Sequence, residues 1–309
     1  MRNVRNGVLG ATSLALVLLL GACGSGGDDQ ESAGGGNGGG SKGQITVGSD
    51  AFAEAQIVGE MYAQVLEDAG YEVERELSID SREVRLPAME SGEIDVAPEY
   101  LASLLSVLDP EATASTDPAE VTEQLEQPLA DMGLEVLQYS PAVDTNAFVV
   151  TPEIAEEHGL SAVSDLQSVA GDMTLGGPAE CPKRPFCIPG LKDTYGVEFG
   201  DFKPLEYGPA TVAALESGAV DVALLFSTDA LVAEKGLTVL EDDKNLQAAD
   251  NITPLVRQEV ATGELPDLLD EVSGALTSEN ITDLNARVAI DQEDPATVAQ
   301  EFLEAEGIL

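Results

Sequence analysis

The sequence predicts an α/β protein of two lobes, and three features of the chain lead there. Residues 44–309 outrun what one hydrophobic core usually organises, so the chain is expected to divide. The start of that region reads strand, helix, strand, the pattern of a parallel sheet. A ten-residue stretch beginning at residue 88 recurs at residue 214 with seven of ten positions identical.

Ahead of that region, Arg2 and Arg5 precede a short apolar run at residues 12–20. The run is too short to cross a bilayer and has the layout of a signal peptide. It ends in Leu20-Gly21-Ala22-Cys23, which resembles a bacterial lipobox. Residues 1–22 are therefore expected to be removed, and Cys23 to carry a lipid that holds the protein on the extracellular face of the cell membrane. A signal peptide that merely contains a cysteine is the plainer alternative. Residues 24–43 are almost all Gly, Ser, Asp, Glu, Gln and Asn, which reads as a flexible tether.

Residues 45–49 (Ile-Thr-Val-Gly-Ser) read as the first strand. Ile57, Val58, Met61, Tyr62, Val65 and Leu66 then recur at helical spacing, Gly70 ends the helix, and residues 71–77 alternate as a second strand. In the repeat, Ala88-Met89-Glu90-Ser91-Gly92-Glu93-Ile94-Asp95-Val96-Ala97 matches Ala214-Leu215-Glu216-Ser217-Gly218-Ala219-Val220-Asp221-Val222-Ala223. Each copy reads as a helix end, a glycine stop and a buried strand. Three residues further on, Tyr100 and Phe226 stand opposite in register, just past the carboxyl end of a strand, where open α/β sheets bind ligands. Two such halves would set an aromatic wall on either side of a cleft. Two core aromatics, and a repeat that is only a common helix–glycine–strand solution, are the competing account.

Charge excludes several partners. The whole chain has 14 basic and 57 acidic residues, and removing residues 1–22 leaves 12 against 57, a net of -45. Neither nucleic acid nor an anionic lipid surface suits that balance. Cys181 and Cys187, six apart in a proline-rich loop, are expected to form a disulfide in an exported protein, since His158 is the only histidine and zinc would need more ligands. One histidine, no metal-ligand cluster and no phosphate loop disfavour an enzyme; no cofactor and no metal are expected.

A set of ordered stretches carries a family resemblance. They are the first strand followed by Phe52 and Glu54; Ser81-Arg82-Glu83-Val84; Ser91-Gly92-Glu93-Ile94-Asp95 running to Pro98-Glu99-Tyr100; Asp144-Thr145-Asn146-Ala147; Pro189-Gly190-Leu191; and Phe226-Ser227-Thr228-Asp229. Leu284-Asn285, Asp294-Pro295 and Val298-Ala299 follow near the end. Together they resemble the glycine betaine, choline and related quaternary-amine-binding proteins of ABC importers, over essentially the whole mature length. The resemblance implies a type II periplasmic-binding-protein fold with parallel-rich sheets and two hinge crossovers, near residues 147–151 and 248–255. Lobe one would span 44–146 and lobe two 147–247, with 248–309 returning to lobe one as a helical tail.

The resemblance also implies a monomer that captures glycine betaine, choline, carnitine or a similar solute and passes it to an ABC permease and its ATPase. Another small amine such as ergothioneine, or a sensor without a transport role, is the alternative. A quaternary ammonium has no hydrogen to donate, so ring faces are its natural partners. The chain has no Trp, so Tyr and Phe must serve. Tyr100 and Phe226 lead; Tyr139, Phe52 and Tyr207 are further candidates, and Thr228 belongs to the matching stretch after Phe226. Arg82 reads either as a clamp for a ligand carboxylate or as a surface or interlobe ion pair. Asp50 or Asp144 would take its place for an uncharged tail. Asp50, Ala53 and Ala55 depart from the Lys, Thr and Gln the family often has there, and Leu101-Ala102-Ser103 departs from its Thr-Gly-Thr.

Overall fold

The computed structural model describes residues 42–79 and 81–309. The expected signal segment, Cys23 and nearly all of the tether lie outside the described residues.

β1 (Gln44–Asp50), α1 (Ala53–Asp68) and β2 (Glu72–Ile79) form the expected βαβ unit, with β1 and β2 parallel. The helical stripe foreseen on α1 is buried throughout. α2 (Arg82–Ser91), β3 (Val96–Tyr100), α3 (Leu101–Leu108), α4 (Pro118–Asp131) and β4 (Leu134–Val136) follow. The chain then builds a second sheet region with β5 (Asn146–Val150), α5 (Pro152–His158), β6 (Thr174–Gly177), the single turn α6 (Ile188–Gly190) and β7 (Asp201–Pro204). That region continues through α7 (Pro209–Glu216), β8 (Val222–Phe226), α8 (Ala230–Glu234) and β9 (Thr238–Val239). β10 (Ile252–Arg257) returns to the first sheet, and α9 (Leu265–Ala275), α10 (Ser278–Ala289) and α11 (Pro295–Glu306) close the chain. α9, α10 and α11 pack on α1, which is why that helix is buried on more than one side.

The two five-stranded sheets run β2-β1-β3-β10-β4 and β7-β6-β8-β5-β9. In each, the first three strands are parallel, and the fourth, on which the chain arrives from the other lobe, is antiparallel. The sheets are therefore mixed, with four of the five strands in each pointing the same way, as a parallel-rich sheet requires. Periodicity reveals a strand but not the direction from which a distant segment enters. Apolar clusters cover both faces of each sheet.

The sequence repeat is a structural repeat. Gly92 and Gly218 take left-handed conformations with φ of 82° and 70°, which a glycine adopts at no steric cost. Asp95 then exchanges two bonds with Thr46, accepting from its N–H at 2.9 Å and donating its own N–H to its carbonyl at 2.9 Å. Asp221 does the same with Thr174, at 2.8 and 3.0 Å. Each aspartate thus locks the start of a central strand to its parallel neighbour. At the other end, Tyr100 pairs with Ile252 and Phe226 with Asn146, so both aromatics sit where a crossover strand begins.

The two crossovers lie against each other. Val143 bridges Asn251, the Ile252 N–H donates to the Ala142 carbonyl at 3.1 Å, and the Asp144 N–H donates to the Asp250 carbonyl at 3.1 Å. The Asn251 amide donates to the Ser140 carbonyl at 2.9 Å.

Asp221→Ala leaves the Thr174 N–H without its acceptor and is expected to cost about 1–2 kcal/mol in urea unfolding. Asp95→Ala should cost more, because Asp95 also accepts from the Arg257 guanidinium at 2.8 Å. Equal midpoints for the mutants and the unmodified protein would show that the aspartates do not secure the strands.

Candidate functional site

A cleft of about 580 Å³ opens where the carboxyl ends of β1, β3, β6 and β8 converge on the crossovers. Phe52, Tyr100, Tyr207 and Phe226 all line it. Tyr207 and Phe226 are stacked, with centroids 4.2 Å apart and planes at 21°. Phe52 reaches across from the start of α1, 5.0 Å from Phe226 and 6.1 Å from both Tyr100 and Tyr207. The rings are thus one contiguous cluster contributed by both lobes, in place of the two separate aromatic walls expected. Phe52, a secondary candidate by sequence, joins Tyr100 to Phe226.

Beneath the rings lies a buried polar junction. Glu54 follows Phe52 by two residues and is 2% exposed. It accepts from the Tyr100 hydroxyl at 2.9 Å, the Thr228 hydroxyl at 2.6 Å and the Asn285 amide at 2.9 Å. Burial raises its pKa, and those three donors work against the rise by stabilising the carboxylate. Asp144, also 2% exposed, accepts from the Ser227 hydroxyl and the Thr228 N–H, both at 3.2 Å. Burial, and then the neighbouring Glu54, hold the Asp144 carboxyl far above its ordinary value. Asp250, on the second crossover, accepts from the N–H and hydroxyl of Ser103 at 2.8 and 2.6 Å, and burial pushes it up to about 6.

Arg82 lines the cleft but belongs to a lobe-one network. Its Nε and Nη2 meet the Glu99 carboxylate at 2.6–3.0 Å. Arg85 donates to the same carboxylate at 2.8 Å and to Asp50 at 3.0 Å. Burial raises a carboxyl, yet Arg82 and Arg85 overcome it and hold Glu99 down to about 2. The interlobe ion-pair reading of Arg82 is therefore corrected: the pair is internal to lobe one. Asp50, where the family often has a lysine, supplies the second acid that two buried guanidiniums require.

Of the remaining candidates, Thr228 and Asp144 join the junction, and Tyr207 joins the rings. Tyr139 does not reach the cleft. It packs against the apolar cluster of α3, α4 and β4, because it lies at the far edge of the first sheet after β4. Cys181 and Cys187 line the cleft with Cα atoms 5.3 Å apart, a separation a disulfide spans. Sequence reasoning gave no role to Glu54, Asn285 or Arg85. Glu54 and Asn285 stood among the family-like stretches, which was their only signal.

The family model described as the substrate binding domain of ABC-type glycine betaine transport system matches residues 43–305. The chain belongs to this family. Among its relatives, a glycine-betaine-binding protein of Pseudomonas aeruginosa is 30% identical over 278 residues, covering 86% of this chain and 88% of that one. The carnitine transport binding protein OpuCC of Listeria monocytogenes is 28% identical over 276 residues, covering 85% and 87%. A crystal structure of a glycine betaine/carnitine/choline ABC transporter protein matches with TM-score 0.67 at 24% identity, covering 85% of this chain and 99% of that one, and shows the shared two-lobed fold. As a member of the family, the chain is the substrate-binding component of an ABC importer.

Glu99→Gln removes a counter-charge shared by two buried guanidiniums and is expected to cost about 3–5 kcal/mol. The native carboxylate near 2 lies below its ordinary 4.5, so its contribution is complete above that value and is lost as pH falls toward 2. Urea midpoints measured across that window should fall with acid more steeply for the unmodified protein than for Glu99→Gln. Parallel curves would remove Glu99 from the acid response.

Proposed function

We propose that this protein captures a quaternary-amine solute, such as glycine betaine, choline or carnitine, between its lobes and delivers it to a membrane permease and its ATPase. The ring cluster carries the reading. Four aromatic side chains from both lobes meet at the cleft, with buried carboxyls beneath them. A trimethylammonium group gains from ring faces and from negative potential, and it needs no acceptor. The cleft volume is in the range that encloses a small solute. The glycine-betaine- and carnitine-binding relatives support the same ligand class. Tyr100, Phe52, Tyr207 and Phe226 hold the cation, and Thr228 and Asp144 order the floor beneath it.

The ligand leaves chemically unchanged, and the protein acts as a monomer. It works on the extracellular face of the membrane, tethered through a lipid on Cys23, with Cys181 and Cys187 joined as a disulfide.

Phe226→Ala should weaken binding of a trimethylammonium ligand at least about tenfold in calorimetry, since a cation–π contact of about 0.5–2 kcal/mol is lost along with apolar contact. Phe226→Leu separates the two, because it keeps the contact and removes the ring face. A Leu variant as tight as the unmodified protein would reduce Phe226 to packing. Tyr100→Phe should keep the ring contribution while removing one donor from Glu54.

In the exporting cell, Cys23→Ala should take up no labelled fatty acid, and Cys181 and Cys187 should resist alkylation until reduced. Label on the mutant, or free thiols in the unreduced protein, would overturn the corresponding assignment.

A further inference from the structure

The charges lining the cleft do not balance. Its two cations among the described residues, Arg82 and Arg184, are each already matched. Arg82 is held by Glu99, and Arg184 donates from the Cys181–Cys187 loop to Glu83 of α2 at 2.9 Å. Four acids on the same lining, Asp144, Asp250, Glu180 and Glu206, have no ion pair among the described residues.

Asp144 is the deepest of them. Its Oδ1 takes the bonds from Ser227 and Thr228, and its Oδ2 is buried with no hydrogen-bond partner. Glu54 lies beside it, and Thr228 donates to both carboxyls. Burial raises both groups, and two adjacent carboxyls in a dry site hold one proton between them. With three donors turned toward Glu54, the negative charge resides there and the proton on Asp144. The junction under the rings therefore keeps one negative charge with no basic partner.

We propose that the Glu54–Asp144 pair makes the cleft a charge filter, favouring a quaternary amine with an uncharged tail, such as an amino alcohol, over a zwitterion ending in a carboxylate. The inference rests on the quaternary-amine reading above. A zwitterion brings its carboxylate into a lining where acids outnumber free cations. Arg82 keeps Nη1 outside its bonds to Glu99, but a carboxylate placed there shares a guanidinium whose charge Glu99 already cancels. An alcohol tail instead donates to Asp250, which lines the same cleft. Specificity then comes from what the site repels as much as from what it attracts.

The test is calorimetry on the full chain with choline, glycine betaine and the amide of glycine betaine, which keeps the betaine's size and removes its negative charge. Choline and the amide should bind at least about tenfold tighter than glycine betaine, a difference of the size one charge contact produces. Glu54→Gln, close in shape and lacking the resident charge, should weaken the two cations and bring the ratio below about threefold. If glycine betaine binds as tightly as its amide, the filter is absent while the quaternary-amine function stands. If none of the three binds, both readings fall. If Glu54→Gln folds and leaves the ratio unchanged, the pair does not set it. Should that variant fail to fold, the amide-to-betaine ratio in the unmodified protein decides by itself.

Discussion

A carboxylate without a cationic partner, removed from water, is the constraint around which this protein is arranged. Desolvating such a group costs several kcal/mol unless hydrogen bonds replace the lost hydration. The donors that replace it come from three separated parts of the chain: Tyr100 at the end of β3, Thr228 after β8 and Asn285 on α10. Satisfying Glu54 therefore requires lobe one, lobe two and the C-terminal tail to meet. Asn285 also donates to the Thr228 carbonyl at 3.1 Å, so the tail bonds to both lobes through one amide.

The rings and the junction are consequently one unit. Phe52 and Glu54 are two residues apart at the start of α1, and Phe226 and Thr228 are two residues apart at the end of β8. Each lobe thus delivers an aromatic to the cleft and a polar group to the floor from the same short stretch. Tyr100 does both with one side chain. A change to the floor must reach the rings, because the same backbone segments position both.

Much of this was legible in the sequence where one segment carries its own signal. The helix–glycine–strand repeat placed Tyr100 and Phe226 at equivalent strand ends, and the stripe on α1 identified its buried face. Legibility ended where meaning depends on distant pairing. Glu54 and Asn285 are 231 residues apart, and nothing local in either shows that the other completes it. Arg82 read either as a ligand clamp or as a surface or interlobe ion pair, because Glu99, seventeen positions on, showed no sign of facing it. Tyr139 was near a crossover in sequence, but its position at the far edge of the sheet depends on β10 arriving between β3 and β4.

That arrival has a kinetic side. Among the described residues β4 has no neighbour in the first sheet except β10, and β3 meets β10 along its whole length. The second sheet, in contrast, is drawn entirely from the continuous stretch between β5 and β9. A chain made from its amino end can thus complete the second sheet first, while β4 waits for residues 252–257 to emerge. Long loops must close before such contacts reward the chain, which slows folding and leaves a strand edge open in the meantime. Lobe one begins first in the sequence and is finished last.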